Sequence, residues 1–436
     1  MNFRHLKLDS LHPRCSSQSA IAGRLPFFSL CAIFLAAETL PSLIVYLHIT
    51  KSLAAGLIVS AALAILLVAV NFAIVSARTG DQTVFHARGN TIVLIGVTLA
   101  LICAHGAIAS RLVPVDFERF ALSLIPLAFL LAGATSIAYV LQTATPRQID
   151  SMVWMSFWIF LGFIILRLIH LEPDASAFNK AFFPFPEPSH FALAFGPIYL
   201  YRSIAAPRNR QLAWIAFGVV TAVLVRDATL LAFAFGAAML CRRLLILTSV
   251  AAVAILTTAA THLSYFTSRA DISSHSRNLS VLVYLQGWEL LWRSLRMSHG
   301  WGLGFQQLGT FPFHLTITRM IRVYTDGYTL NTMNGSFVFS KLGSEFGVFG
   351  VVLTIAFGIL CAKSIIKLRA ATTAVSRGMF ARCIIVAFGV DMFIRGPGYF
   401  YGAPLLCLGA AFSLSPGYGL LHRKPSTAGT EALVLR

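Results

Sequence analysis

Residues 276–305, SRNLSVLVYLQGWELLWRSLRMSHGWGLGF, belong to a mostly polar segment, residues 263–333, that lies between the apolar runs 244–261 and 346–366. The segment holds six arginines against three acids and no lysine, hence a net charge of +3. The apolar runs around it have about the 20 residues that cross the hydrocarbon of a bilayer as an α-helix. This contrast predicts a membrane-embedded helix bundle with one large loop outside the lipid.

Composition supports the same class. Of the 436 residues, 57% are hydrophobic and 11% are charged, and the mean hydropathy is +0.77. Ordinary soluble proteins carry roughly a quarter charged residues, so a set of soluble domains is excluded. Because an open sheet edge cannot satisfy its backbone in lipid, we predict an all-α polytopic integral membrane protein.

Twelve transmembrane helices are predicted, at residues 25–47, 52–76, 91–110, 120–142, 151–169, 189–205, 211–225, 228–241, 244–262, 343–366, 379–396 and 399–416. Most of the net charge of +18 lies in alternate short loops, which places those loops in the cytoplasm. The charge therefore does not indicate nucleic-acid binding.

The predicted order of segments starts with a basic cytoplasmic arm (1–24) and transmembrane helices one to nine (25–262). A periplasmic loop (263–333), helices ten to twelve (334–416) and a cytoplasmic tail (417–436) follow. Both termini are then cytoplasmic.

Inside the large loop, residues 280–297 show helical periodicity. The apolar stripe consists of Val281, Leu285, Trp288, Trp292 and Leu295, and the polar stripe consists of Gln286, Glu289, Arg293 and Arg296. Such a helix could lie on the membrane surface with its tryptophans among the headgroups. It could also cover the bundle and turn its arginines towards a cavity.

Residues 185–192 read FPEPSHFA at the start of the sixth predicted span. Ser189 can cap the helix N-terminus, and Glu187 and His190 would lie together at the outer membrane face. A carboxylate beside an imidazole could do acid–base work. The alternative is a helix start with a solvated acid and an interfacial histidine.

Two further charged pairs lie at the ends of predicted spans. Arg226 and Asp227 form the tip of a hairpin between two short spans, where they either serve function or only close the turn. Asp391 and Arg395, spaced i, i+4, are predicted to be a structural pair.

Four segments carry a family resemblance. They are EPSHFA at residues 187–192, LVRDA at 224–228, Arg277 followed by a helix and GLGF at 302–305, and NGSF at 334–337 with GSEFGVFG at 343–350. Together they resemble the motifs of bacterial O-antigen polymerases, the Wzy-like glycosyltransferases of the O-antigen ligase and polymerase superfamily. The resemblance covers residues 185–366; the outer spans match only in hydropathy.

The resemblance implies a GT-C-like membrane glycosyltransferase. Its donor is a growing glycan on undecaprenyl pyrophosphate, and its acceptor is one lipid-linked repeat unit. The expected partners are these glycans, the lipid bilayer and other polysaccharide-assembly proteins, among them a chain-length regulator. No cofactor, metal or nucleic acid is expected.

Preorganised guanidinium groups can stabilise the charge that develops on a diphosphate leaving group. We assign this role to Arg226 and Arg277, with Arg293 next. Glu187 or His190 would orient or deprotonate the acceptor hydroxyl. Further substrate-binding candidates are Arg296, the glycines Gly302 and Gly304, which permit a tight turn, and His314.

One departure from the family pattern leaves alternatives open. Related ligases and several polymerases have a His-Asn pair where this chain has Met333 and Asn334. The nearest histidine in the loop is His314, so the general base is not assigned to that position. An O-antigen ligase that transfers finished glycan, or a flippase for the same lipid-linked sugar, remain the alternatives.

Overall fold

The computed structural model describes residues 27–79, 84–169, 181–241, 271–274, 276–311, 315–370 and 376–415. Within these ranges the regular structure is α-helical, apart from one isolated bridge between Phe182 and Phe185. The fourteen helices of the described ranges are α1 (Phe27–Tyr46), α2 (Leu53–Thr79), α3 (Val84–Leu112), α4 (Phe117–Thr143), α5 (Pro146–Leu168), α6 (Pro188–Ala205), α7 (Arg208–Val225), α8 (Ala228–Leu240), α9 (Leu279–Met297), α10 (Thr316–Tyr324), α11 (Val338–Phe346), α12 (Val348–Ala370), α13 (Arg377–Phe393) and α14 (Gly402–Leu414).

Six helices, α1 to α5 and α12, are long and apolar enough to cross a membrane. In α3 and α12 only 17% of the most apolar window is buried inside the protein. Large apolar residues such as Leu101, Leu353 and Ile359 therefore face outward. Such an exposed apolar surface is favourable in contact with lipid and unfavourable in contact with water. The chain is a polytopic helical membrane protein, which confirms the predicted class.

The remaining predicted spans have three outcomes. Helices α6, α7, α8, α13 and α14 form where spans were expected, but they are shorter or less apolar than the six. The predicted span 244–262 lies outside the described residues. The predicted start of the tenth span at residue 343 is wrong, because the chain breaks at Gly347 between α11 and α12.

Gly347 accounts for that break. Its backbone has φ 57° and ψ −132°, a conformation that only glycine adopts readily. A Cβ at this position would also collide with the backbone of Gly300 and Trp301. The membrane helix α12 therefore begins at Val348, and α11 is a separate nine-residue helix.

The transmembrane core is built from close helix pairs. Helix α14 packs against α4, α4 against α2, and α2 against α1, while α13 joins α14 to α6. At Gly133 of α4, a Cβ would lie 2.8 Å from the Cβ of Ala61 and 3.0 Å from Leu405. The missing side chain thus lets three helices approach closely, as small residues do in membrane bundles.

The large loop folds as a second layer. Its helix α9 confirms the predicted helix 280–297, and it packs against α10 and α11. The two stripes do not divide into one buried and one exposed face, because Gln286 is fully buried whereas Trp292 is 61% exposed. The Gln286 side chain donates a hydrogen bond to Thr318 Oγ1 of α10 at 2.7 Å. Helix α10 therefore packs over part of the polar stripe and buries it.

Glu289 of the polar stripe also has a structural partner. Its carboxylate accepts the backbone N–H groups of Thr316 at 2.8 Å and Ile317 at 3.0 Å. These are free donors at the first turn of α10, where a carboxylate is stabilising. Glu289 therefore holds α10 onto α9.

Candidate functional site

The start of α6 carries Glu187 and His190. Glu187 is the N-cap residue and Pro188 is the first helical residue, a position that proline favours. The predicted capping by Ser189 is wrong, because Ser189 lies inside the first turn and its hydroxyl donates to Glu187 Oε2 at 3.2 Å. Since the Glu187 side chain makes no cap hydrogen bond, its carboxylate is available for other partners.

That partner is Arg395, which follows α13. Arg395 Nη2 lies 2.5 Å from Glu187 Oε2, and both side chains are half-buried. The predicted pairing of Arg395 with Asp391 is wrong, because the Asp391 carboxylate instead accepts a hydrogen bond from the Tyr401 hydroxyl. Helix α13 ends at Phe393, so Arg395 lies beyond the helix and the i, i+4 spacing does not bring the two residues together.

The pair sets the charge of Glu187. Burial by itself raises the pKa of this carboxyl, but Arg395, His190 and the Ser189 hydroxyl together lower the pKa below its ordinary value. Glu187 is therefore an ionised carboxylate at neutral pH. An ionised carboxylate can accept a hydrogen bond from a donor group or pair with a cation, and it is less suited to carrying a proton.

His190 lies one helical turn after Glu187. Its imidazole interacts electrostatically with both Glu187 and Arg395, and it lines a narrow cavity together with Glu38 and Tyr401. The sequence prediction that Glu187 and His190 lie together is thus confirmed. The carboxylate–arginine–imidazole cluster joins residues that are about 200 positions apart in the chain.

The Arg226 hairpin is a separate feature. Arg226 has a left-handed backbone with φ 58° and an exposed side chain, whereas Asp227 is buried and accepts the N–H of Leu230 at 2.8 Å. Asp227 therefore caps α8 and closes the turn. The ion pair of Glu187 is made with Arg395, not with Arg226.

The predicted arginines of the large loop lie on its surface. Arg277, Arg293 and Arg296 are all exposed, and the ion pair of Glu187 does not include them. The structure therefore does not bring these arginines to the Glu187 cluster by direct contact. His314 lies outside the described residues.

The glycines of the GLGF motif pack against the GSEFG motif. The N–H groups of Leu303 and Gly304 donate to the carbonyls of Ser344 and Glu345, each at 2.9 Å. The N–H of Gly302 is also bonded within its own loop. These donors are used inside the protein, so Gly302 and Gly304 shape the loop rather than present a phosphate-binding nest.

This packing gives a testable contrast between two glycines with nearly equal backbone geometry. Gly302 has φ 95° and Gly327 has φ 96°, so alanine costs strain of about 1–3 kcal/mol at either position. Only at Gly302 would the Cβ lie 2.5 Å from the Glu345 carbonyl oxygen and 2.5 Å from the Gly347 nitrogen, which adds about 1–3 kcal/mol of overpacking. Thermal unfolding in lipid should show a larger loss for Gly302→Ala than for Gly327→Ala; equal losses would contradict the packing.

A buried ion pair, missed by the sequence analysis, lies below this loop. Lys341 Nζ is 3.3 Å from Glu345 Oε1, and both side chains are almost fully buried. Lys341 also donates to the Met333 carbonyl at 2.6 Å, and the Glu345 carboxylate accepts the N–H of Gln306 at 3.0 Å. The i, i+4 spacing of a lysine and a glutamate next to an apolar run is the signal that could have identified the pair.

The α13–α14 connection, residues 394–401, lies where these parts meet. Arg395 reaches Glu187, the Gly396 N–H donates to the Ser336 carbonyl at 3.0 Å, and the ring of Tyr399 lies 5.2 Å from Lys341 Nζ. Its sequence, IRGPGYFY, combines two glycines, a proline and three aromatic residues between two apolar runs. This composition is the sequence signal from which a close-packed connection could have been predicted.

The same connection touches the GLGF loop. The rings of Tyr399 and Phe305 stack with centroids 6.1 Å apart. Segments 187–190, 302–305 and 334–345, which are far apart in sequence, therefore all contact the α13–α14 connection. Within the described ranges, no group of three His, Cys, Asp or Glu residues could hold a metal ion.

Comparison of the chain with protein-family models, with curated proteins and with solved structures finds no match. The functional interpretation accordingly rests on the residues and on their geometry.

Proposed function

We propose that this protein is a polysaccharide polymerase that joins undecaprenyl-pyrophosphate-linked oligosaccharide repeats at the periplasmic face of a bacterial inner membrane. The product is O-antigen or a related exopolysaccharide. The reducing-end sugar of the donor glycan moves to the non-reducing hydroxyl of one acceptor repeat. The fold is then a GT-C-like bundle of twelve transmembrane helices.

The observation that carries the proposal is the convergence of three motif segments on the α13–α14 connection. A half-buried carboxylate–arginine pair with an imidazole beside it, Glu187, Arg395 and His190, forms at that point. Groups of this kind orient and deprotonate a hydroxyl nucleophile. Glu187, kept ionised by Arg395, orients the acceptor, and His190 takes the proton.

The leaving group needs positive charge. As the glycosidic bond breaks, its electron pair moves onto the lipid diphosphate, whose charge grows. Forked donors for this diphosphate come from exposed arginines at the hairpin tip and in the large loop. The first candidates are Arg226 and Arg277, and the next is Arg293. In this proposal the lipid-linked diphosphate binds between these arginines and the Glu187 cluster.

Orientation follows from the distribution of arginine and lysine. The proposal places the large loop, Glu187 and Arg395 on the periplasmic side and both termini in the cytoplasm. We expect a reporter inserted at Ser274, which is exposed, to report the periplasm. A reporter after Arg436 should report the cytoplasm. A cytoplasmic signal at Ser274 would remove the proposed site from the face where lipid-linked repeats are joined.

The role of Glu187 is tested by Glu187→Gln. This change keeps the shape but removes the charge that Arg395 pairs with. We expect polymer formation to fall roughly 10²-fold, the effect of misplacing a reacting group, with normal protein in the membrane. Glu118→Gln, which changes an exposed glutamate in the first turn of α4, is the matched control and should retain activity.

The pH dependence has a defined sign. Because the pKa of Glu187 lies below its ordinary value of 4.5, the carboxyl is mostly ionised at that pH and loses its charge as pH falls further through the lower folded value. We therefore expect no loss of polymer formation assignable to Glu187 between neutral pH and mildly acidic pH. An active Glu187→Gln together with an inactive Pro188→Ala, at the first helical residue, would instead make the motif only a helix start.

The ligase and flippase alternatives predict different intermediates. Without a ligase, long glycan remains on the undecaprenyl carrier. Without a flippase, single repeats remain on the cytoplasmic leaflet. Without this polymerase, single repeats reach the periplasm and stay single, whether or not a chain-length regulator is present.

A further inference from the structure

A narrow cavity lies inside the bundle next to the Glu187 cluster, where α1, α6 and the start of α14 meet. It is lined by Glu38, Ser42, Leu53, His190 and Tyr401 among others, and it has room for roughly one water molecule. Four of its ten lining residues carry a polar side chain. A cavity of this kind favours a hydrogen-bonded occupant over an apolar one.

Glu38 supplies the observation that points to such an occupant. It lies in the middle of the membrane helix α1, is 4% exposed, and its Oε1 has no hydrogen-bond partner among the described residues. A buried polar atom without a partner is costly. Glu38 therefore needs a proton, a water molecule or both in the cavity that it lines.

A second buried carboxyl is connected to the same cavity. Asp391 of α13 is 1% exposed, and its carboxylate accepts a hydrogen bond from the hydroxyl of Tyr401. Tyr401 lines the cavity, and Glu38 interacts electrostatically with both Asp391 and Tyr401. The nearest arginine along the chain, Arg395, is paired with Glu187 instead.

Two carboxylates that repel each other in a low-dielectric interior do not both stay ionised; such pairs keep a proton between them. The groups that face Glu38 are Asp391 from α13, Tyr401 from the start of α14 and His190 from α6. The Cys407 thiol is the further titratable neighbour of Tyr401. Glu38 and His190 line the cavity itself, and Asp391 is joined to it through the Tyr401 hydroxyl.

We infer that Glu38, Tyr401 and Asp391 form a buried site that holds one exchangeable proton, and that His190 passes this proton to and from the site through the cavity. The geometry assigns His190 two neighbours, Glu187 on the side of the proposed substrate site and the Glu38 cavity on the other. The ligand of the cavity is a proton carried by water. Glu38 acts through His190 and is a positioning residue.

The use of this site in catalysis rests on the proposed function. As the acceptor hydroxyl oxygen bonds to the anomeric carbon, its proton moves to the His190 imidazole, and the donor carbon–oxygen bond breaks with its electron pair on the diphosphate. His190 then hands the proton to the ionised carboxylate of the Glu38–Asp391 pair, which for that time holds two protons. One proton returns through His190 to the diphosphate product as it leaves, so that the pair again holds one proton and the imidazole is neutral for the next unit. No oxidant, reductant or further reactant is needed.

The experiment is infrared difference spectroscopy of the purified full chain in lipid nanodiscs, without glycan. At neutral pH the wild type should show the carbonyl stretch of a protonated carboxyl, and this band should shift after transfer to D₂O. Glu38→Gln and Asp391→Asn should each lose the band, while Glu118→Gln, which changes an exposed glutamate, should keep it. His190→Gln should keep the band and slow its shift in D₂O.

Three results would overturn the inference: no protonated-carboxyl band in the wild type, a band unchanged by Glu38→Gln, or an unchanged exchange rate in His190→Gln. If Glu38→Gln does not fold, Tyr401→Phe replaces it, because loss of the hydroxyl link must displace the band. The spectra need no substrate, so their failure leaves the polymerase proposal standing. Conversely, failure to make polymer leaves the proton site standing.

Discussion

Glu345→Ala should strongly destabilise the protein, with a cost of about 3–5 kcal/mol, the range for removing one partner of a buried ion pair. The change leaves Lys341 buried without its acid and removes the acceptor for the Gln306 and Leu308 N–H groups. The layer formed by the GLGF loop and α11 would then lose its anchor. Thermal unfolding in lipid and the amount of folded protein after membrane extraction measure the effect.

The loss should depend on pH with a definite sign. Burial lowers the pKa of Lys341, and Glu345 opposes this shift, so removing Glu345 lowers the pKa further. The unfolded chain then binds more protons than the folded protein between the folded pKa and about 10.5, and stability rises with pH in that window. Glu345→Ala should therefore be least unstable at alkaline pH.

The matched control removes both charges. In the double variant Lys341→Met with Glu345→Gln, the amide oxygen can still accept the Gln306 N–H, and no buried charge is left unpaired. Replacing a buried pair by neutral groups is often nearly neutral in stability, so the double variant should recover most of the loss. A double variant as unstable as Glu345→Ala, or a wild-type-like Glu345→Ala, would contradict the anchor role.

Arg226→Ala and Arg277→Ala should each lower polymer formation by roughly 10–100-fold, since a hydrogen bond to a charged group contributes about 1.5–3 kcal/mol. Lysine should not restore what alanine removes, because it offers a point charge instead of the planar fork. Both side chains are exposed, so folding should be little affected. Polymer length and protein level in the membrane are measured together.

Arg322→Ala is the control for these variants. Arg322 is also an exposed arginine of the large loop, on α10, and it has no assigned role. It should make polymer at the wild-type level. Normal polymer from both Arg226→Ala and Arg277→Ala would show that the diphosphate does not bind at these arginines.

Helical periodicity predicted α9, whereas α10 and the separate helix α11 were not predicted. Hydropathy predicted the class and the approximate positions of the other described helices, because crossing a bilayer requires long apolar runs. It did not predict the break at Gly347, which depends on the backbone of Gly300 and Trp301 approaching from the loop. It also did not predict the burial of Gln286, since helical periodicity separates two stripes without telling which one α10 covers.

The candidate site was predictable only where it is local. Glu187 and His190 are three residues apart, and a helix start brings them together. The Glu187–Arg395 pair spans 208 residues, and the sequence favoured the nearby Asp391 as the partner of Arg395. The choice between these partners depends on how α13 and α6 pack, which no local pattern records.

The proposed function requires that the protein itself joins lipid-linked repeats. The direct measurement uses the purified protein in lipid with undecaprenyl-diphosphate-linked repeats and no nucleotide, followed by separation of the glycans by length. The wild-type protein should produce a ladder of polymer still attached to the carrier, and the same preparation of Glu187→Gln should leave the repeats single. Repeats that remain single with the wild-type protein, while a lipid or core acceptor receives preformed long glycan, would contradict the polymerase function and identify a ligase.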